Sequence, residues 1–248
     1  MDFPETHWSV LARASLNGGP AAEEALERFC RSYRPAVLDF IRWTGVPAQD
    51  AEEVAQEFFL RLLASRAWRR AEPTQGRFRS FLLGALKHHI ADLRRRGSAG
   101  KRGGGQLPVS LDELMESGME FVPGIPEDAA DQFDRDWAVR IVENALEAVA
   151  LEARDSGRAA TFERLVPFLP VATEPPSYEV LAQSLGMSVP AAKSEVHRLR
   201  ARFRNALRVE VARTVSAPHE IDVEMRHLHS VLAGVGFRNP DSGETRGR

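Results

Sequence analysis

The stretch Gly76 to Arg96, GRFRSFLLGALKHHIADLRRR, constrains the chain most. Phe78, Leu82, Ala85, Leu86, His89, Ile90 and Leu93 recur at steps of three and four. That period places them on one stripe of an α-helix. Arg79, Lys87, His88, Arg94, Arg95 and Arg96 fall on the other side. The spacing predicts a helix with one face to pack and one positive face to offer. Trp68, Phe78 and Phe81 stand among the arginines that lead into it, Arg77 included. Basic groups neutralise phosphates, and aromatic rings stack on unpaired bases. The plain alternative is an amphipathic helix with a solvated basic face.

Charge elsewhere is segregated in a way that favours a polyanion partner. The net charge is only −2. Yet Arg61 to Arg102 holds twelve Lys/Arg against Glu72 and Asp92, a balance of +10. Gly103 to Trp137 holds nine Asp/Glu against Arg135, a balance of −8. Ser177 to Arg213 returns to +4. The 248 residues suffice for one large or two small domains. No apolar run reaches the roughly 20 residues of a membrane span, and no signal-peptide pattern opens the sequence. Cys30 is the only cysteine, so neither an internal disulfide nor a cysteine zinc site is expected.

In chain order, Asp2 or Thr6 is a candidate cap for a short helix within residues 1–20. Ala21 to Trp43 reads as one helix, with Pro35 as a candidate break. Asp50 is the expected cap of a helix over Ala51–Ala64, with Val54, Phe58, Phe59 and Leu62 toward a core. Its other edge carries Glu52, Glu53, Gln56 and Glu57. That edge is a solvated face favoured by the helix dipole, a docking surface for a basic partner or, as a third option without a matching histidine-bearing motif, a carboxylate metal site. Residues 65–75 read as a polar loop. The glycines of GSAGKRGGG argue against a helix beyond Arg96 and for a flexible basic tether. An acidic linker over 99–136 is expected next, then helices from Trp137 to Ala153 and from Ala159 to Leu169.

Ser177 to Val211 carries the second informative pattern. A short helix ends at Gly186, Ser188 caps a longer one, and Pro190 sits in its first turn. Ala192, Val196, Leu199, Phe203 and Leu207 are its inward set. Such a pair matches a helix-turn-helix, whose second helix enters the major groove. Ser188, Pro190, Lys193, Ser194, His197 and Arg198 would then meet base edges. Arg200, Arg202 and Arg204 suit phosphates. A further amphipathic helix is expected through Ile221, Met225, Leu228 and Leu232, ahead of a disordered end. No phosphate loop, nucleophile elbow or catalytic triad pattern occurs, and Glu224 with His227 supplies only part of a carboxylate metal motif. No enzyme activity, cofactor or metal is expected.

The order of these parts resembles bacterial RNA polymerase sigma factors of the two-domain, extracytoplasmic-function type. DAEEVAQEFFLRLL (50–63) resembles their polymerase-binding helix. GRFRSFLLGALKHHIADLRRR resembles the helices that melt and read the minus-ten element. SYEVLAQSLGMSVPAAKSEVHRLRARFRNAL resembles their helix-turn-helix for the minus-thirty-five element. The opening FPETHWSVL, the KRGGG tether, FDRDWA and the tail near EIDVEMRHLHSVL are similar to one sub-group.

The resemblance implies an all-α fold. A region 2-like domain would span 21–98 and a region 4-like domain 137–213, with an N-terminal segment (1–20), a linker (99–136) and a C-terminal extension (214–248). It implies polymerase contact by Asp50, Glu52, Glu53, Gln56, Glu57 and Phe58. It implies minus-ten contact by Trp68, Arg77, Phe78, Arg79, Phe81, Lys87, His88, Arg94, Arg95 and Arg96. It implies minus-thirty-five contact by Ser188, Pro190, Lys193, Ser194, His197, Arg198 and Arg200. Core polymerase and promoter DNA are the implied partners in a bacterial cytoplasm, with an anti-sigma factor or other regulator as a further one. The family's Leu-Pro-x-x-x-Arg entry to the second domain is absent; RAATFERLVPFLP stands there. The rival reading is a helix-turn-helix regulator that acts without polymerase docking.

Overall fold

The computed structural model describes residues 20–64, 78–100, 128–169, 176–215 and 217–234. These residues are helical with no strand among them, as the all-α expectation requires. The helices are α1 (Pro20–Trp43), α2 (Ala48–Ala64), α3 (Phe78–Gly100), α4 (Ala129–Asp155), α5 (Ala159–Leu165), α6 (Tyr178–Leu185), α7 (Val189–Thr214) and α8 (Ile221–Gly234). The expectations for residues 1–19, Trp68 and Arg77, the tether and linker over 101–127, the loop at 170–175 and the last residues lie outside the described set.

The chain divides into two compact units. The first comprises Met1–Trp137 with Ala212–Glu220 and the second Ala138–Val211 with Ile221–Arg248. In the first unit the core is aromatic. Phe29, Tyr33, Phe40, Phe58, Phe59 and Phe78 are buried there with Val37, Ile41, Leu62, Leu82, Leu86 and Ile90. Phe29 and Phe78 meet edge to face, centroids 5.4 Å apart, a favoured ring geometry.

Several boundaries differ from the sequence expectation; the helix expected over Ala159–Leu169 ends at Leu165, and Val166–Phe168 form a 3-10 turn instead, with Pro167 inside it. α1 runs unbroken through Pro35. An interior proline costs about 3 kcal/mol; burial of Tyr33, Ala36, Val37, Phe40 and Ile41 around it offsets that loss. α2 starts at Ala48 rather than after Asp50, because the Pro47 carbonyl already accepts from the Asp50 and Ala51 amides (2.9 and 3.1 Å). Asp50 therefore sits in the first turn, where the dipole favours its charge. α3 continues past Arg96 to Gly100, so the tether does not begin at Gly97.

The largest difference is α4. It begins at Ala129, inside the segment expected to be linker up to 136. Ala129, Phe133 and Trp137 are buried. Phe133 stands edge to face against Phe40 at 6.1 Å. Asp134 accepts from Arg79 Nε at 2.8 Å, and the Arg79 guanidinium lies 4.7 Å from the Trp137 ring centre. The acidic stretch thus ends in the first turns of α4, which up to Trp137 belong to the first unit.

In the second unit, α4 ends at Asp155 and the chain turns through Ser156 and Gly157, whose φ is +69°. Ala138, Ile141, Val142, Ala145 and Val149 are buried at helical spacing, and Leu146 is half-buried. Ala192, Val196, Leu199, Phe203 and Leu207 of α7 are buried as expected, with Met225, Leu228 and Leu232 of α8.

Candidate nucleic-acid and polymerase interfaces

α2 separates its residues cleanly. Ala51, Val54, Ala55, Phe58, Phe59 and Leu62 face inward. Asp50, Glu53 and Gln56 are exposed. Leu60 lies on the same outward stripe and is 68% exposed, so an apolar side chain stands in an acidic row. Glu52 pairs with Arg34 of α1. Phe58 corrects the expectation of a polymerase contact: it is fully buried, and a ring in the core cannot also meet a partner.

Glu57 leads into a cluster between α2 and α3. Its Oε1 accepts from Arg96 Nη2 at 2.7 Å and lies 3.7 Å from Arg61 Nη1. At the centre of the cluster is Asp92, whose side chain is 1% exposed. Oδ2 accepts from Arg61 Nη1 at 2.8 Å and Oδ1 from Arg95 Nη2 at 2.7 Å. Arg96 Nε is 3.3 Å from Oδ2. One buried carboxylate therefore serves three guanidinium groups from two helices. Burial opposes its ionisation. The hydrogen bonds from Arg61 and Arg95 and the Arg61 and Arg96 charges outweigh that and hold its carboxyl below the usual range.

His89 lies beside this cluster, buried on the packed stripe. Arg61 Nη1 is 3.4 Å from its Nδ1, an arrangement that suits a neutral ring. Burial, the largest influence, pushes its imidazole down to about 4; Glu57 opposes this, while Arg61 and Arg96 add to it. Unfolded histidine titrates near 6.5. Between those values the unfolded chain binds a proton that the folded unit excludes. Stability from this group is thus full above about pH 6.5 and declines as pH falls toward 4, by about 3 kcal/mol at most. His89→Gln should flatten the dependence of melting temperature on pH in that window. An unchanged slope would show that the acid sensitivity lies elsewhere.

The expected positive face of α3 is consequently less free than its sequence implies. Phe78 and Phe81 are core residues, so their rings do not stack on bases as expected. Arg79 is buried against Asp134 and Trp137. His88 is buried too, which lowers its imidazole's affinity for a proton. Arg94 Nη2 donates to the Thr44 carbonyl at the end of α1 (2.6 Å), and so packs helices together. Lys87, Arg94 and Arg96 are half-buried and Arg95 is exposed; of these, Arg94 and Arg96 are bonded to the Thr44 carbonyl and to Glu57 and Asp92.

In the second unit, α6 is capped by Ser177, whose Oγ accepts from the Val180 amide at 3.3 Å. Gly186 ends it with φ +64°, a region that disfavours residues with a Cβ. Ser188 then caps α7, its Oγ accepting from the Ala191 amide at 3.4 Å. Ser188, Pro190, Lys193, Ser194, His197 and Arg198 are exposed together at the start of α7. Lys193 Nζ stands 5.4 Å from the Tyr178 ring centre. Arg200 points elsewhere: its Nε and Nη2 both donate to the Phe168 carbonyl, at 3.0 and 2.9 Å. It serves packing of the turn after α5 rather than the exposed group.

Residues 29–99 match the Sigma-70 region 2 family model. The matched span takes in α1 from Phe29, all of α2 and nearly all of α3, the three helices around the Asp92 cluster. It supports a sigma factor role, in RNA polymerase binding and promoter recognition. No curated protein and no solved structure matches the chain. No helix among the described residues is long and apolar enough to cross a membrane.

Asp92, Phe133, Asp134 and Leu60 received no role from the sequence, although Phe133 and Asp134 lie in FDRDWA and Leu60 in DAEEVAQEFFLRLL. A signal existed for two of them. Asp92 falls three residues after His89 on the packed stripe, so a carboxylate stood where an apolar group was due. Ala129, Phe133 and Trp137 repeat at four-residue steps that run on into Ala138 and Ile141.

Proposed function

We propose that the protein is a two-domain sigma factor of the extracytoplasmic-function type, acting with core polymerase in the bacterial cytoplasm. The observation that carries this reading is the region 2 match over helices that place an acidic stripe outward on α2. Asp50, Glu53, Gln56, Glu57 and Leu60 form the polymerase-binding face. The carboxylates meet basic groups of the largest subunit, and Leu60 supplies the apolar contact that such a patch needs at its centre. Lys87 and Arg95 contact minus-ten phosphates together with Arg77, and Trp68 stacks on an unpaired base. Melting needs no hydrolysis, because binding the open strand better than the duplex drives it.

In the same reading α6 and α7 form a helix-turn-helix for the minus-thirty-five element. The capped α7, the left-handed Gly186 and the exposed group from Ser188 to Arg198 support it. Arg200 is withdrawn from that DNA-reading set by its bonds to Phe168.

The test is transcription by core polymerase on genomic promoter fragments. New discrete transcripts that depend on this protein are expected. A folded protein that yields none and does not co-elute with core enzyme would leave the stand-alone regulator. Surface contacts can be tested apart from folding. Glu53→Lys combined with Leu60→Asp should weaken core binding by about tenfold or more, which is roughly 1.4 kcal/mol. The melting temperature should barely move, since both side chains are exposed. Core binding as tight as the parent's would remove α2 from the docking surface.

A further inference from the structure

We propose that Glu195 is a specificity-determining positioning residue, which fixes the direction of the Arg198 guanidinium so that it reads one base. This rests on the reading of α6 and α7 as the element that meets promoter DNA. Arg198 is 59% exposed at the side chain, whereas Glu195 on the same helix is 13% exposed. An ordinary exposed ion pair between neighbours on a helix holds neither partner firmly. Here the carboxylate is largely buried and holds a second guanidinium, that of Arg158, whose side chain is 42% exposed. Its Oε2 accepts from Arg158 Nη2 at 2.8 Å, and Arg158 immediately precedes α5. Its other oxygen, Oε1, accepts from Arg198 Nη2 at 2.7 Å.

Each oxygen of Glu195 thus holds one guanidinium, that of Arg158 just before α5 and that of Arg198 further out on α7. A carboxylate so occupied is poorly placed to accept a hydrogen bond from a base. It acts instead through the arginine. The guanidinium is a planar fork, and bidentate recognition of guanine O6 and N7 requires that plane to be held in one direction. A fork already oriented also loses less freedom on binding. Lys193, exposed on the same stretch, stands over the Tyr178 ring and interacts with the Glu179 carboxylate through charge alone, without the hydrogen bond that orients Arg198. The geometry therefore singles out Arg198 as the directional contact and Glu195 as the residue that gives it direction.

The experiment is transcription by holoenzyme on a promoter pool randomised in the upstream element, with Glu195→Ala, Glu195→Asp, Arg198→Ala and Arg158→Ala compared with the parent. The parent should prefer guanine at one position, and Arg198→Ala should abolish that preference. Glu195→Ala should weaken the same preference, and only that one, by about fivefold or more, while output from promoters lacking the guanine is kept. Glu195→Asp should recover part of it. A uniform fall on all promoters after Glu195→Ala, matching that of Arg158→Ala, would make Glu195 a structural brace only and overturn the proposal. A guanine preference that survives Glu195→Ala intact would overturn it as well. A parent that transcribes with no upstream preference at all would instead overturn the DNA-reading role of α7 itself.

Discussion

Replacing Asp92 with alanine should destabilise the first unit by about 3–5 kcal/mol, the range expected when one partner of a buried ionic network is lost. Without the carboxylate, Arg61, Arg95 and Arg96 would crowd together with Glu57 as the remaining counter-charge in the cluster. Arg61 is little exposed and would keep its charge away from water. Asp92→Asn keeps the shape and removes the charge, so it should cost nearly as much; a deficit in packing alone would spare it. Urea unfolding of the full chain, followed by helical circular dichroism, reads both variants. A loss under about 1 kcal/mol for both would mean the arginines find water and other partners without strain. The sign with pH follows from the lowered carboxyl. Its contribution is complete above about pH 4 and is lost as pH falls through the depressed value.

Phe133→Ala should cost the same unit about 3–5 kcal/mol, the usual penalty for deleting a buried aromatic ring. Phe133 is among the largest fully buried side chains and packs edge to face on Phe40. A ring in a solvated linker would change stability by no more than about 0.5 kcal/mol when truncated. The two expectations differ severalfold, so unfolding midpoints in urea decide between them. A small loss would return residues 129–137 to the linker. A large one makes them part of the unit that the region 2 match only reaches as far as residue 99.

The helices were legible because burial follows their period. Ala192, Val196, Leu199, Phe203 and Leu207 are buried in the order the spacing predicts, and so are Phe78, Leu82, Ala85, Leu86, His89 and Ile90. Capping chemistry was equally readable at Ser177, Gly186 and Ser188. What the sequence hid was the use of its charges. Arg79, Arg94, Arg96 and Arg200 look like a polyanion surface when counted. Each is instead spent within its unit, on Asp134, the Thr44 carbonyl, Glu57 and the Phe168 carbonyl respectively. A long side chain carries its charge several ångströms from its backbone, so helical phase alone does not say which acceptor it meets. Phe78, Phe81 and Phe58 mislead for the opposite reason. An aromatic beside arginines is as good a core residue as a stacking platform, and only the packing decides.

The bond between Glu57 and Arg96 has a practical consequence for dissecting this molecule by mutation. Glu57 belongs both to the outward edge of α2 and to the arginine cluster, while Arg96 belongs to that cluster and to the surface of α3. Residues in direct contact do not contribute additively. On the proposed reading, a change at Glu57 registers both in polymerase binding and in the packing of the arginine cluster, and its effect depends on whether Arg96 is present. Glu53 and Leu60 stand on the same edge outside that network. They are the positions whose substitution reports on one surface at a time.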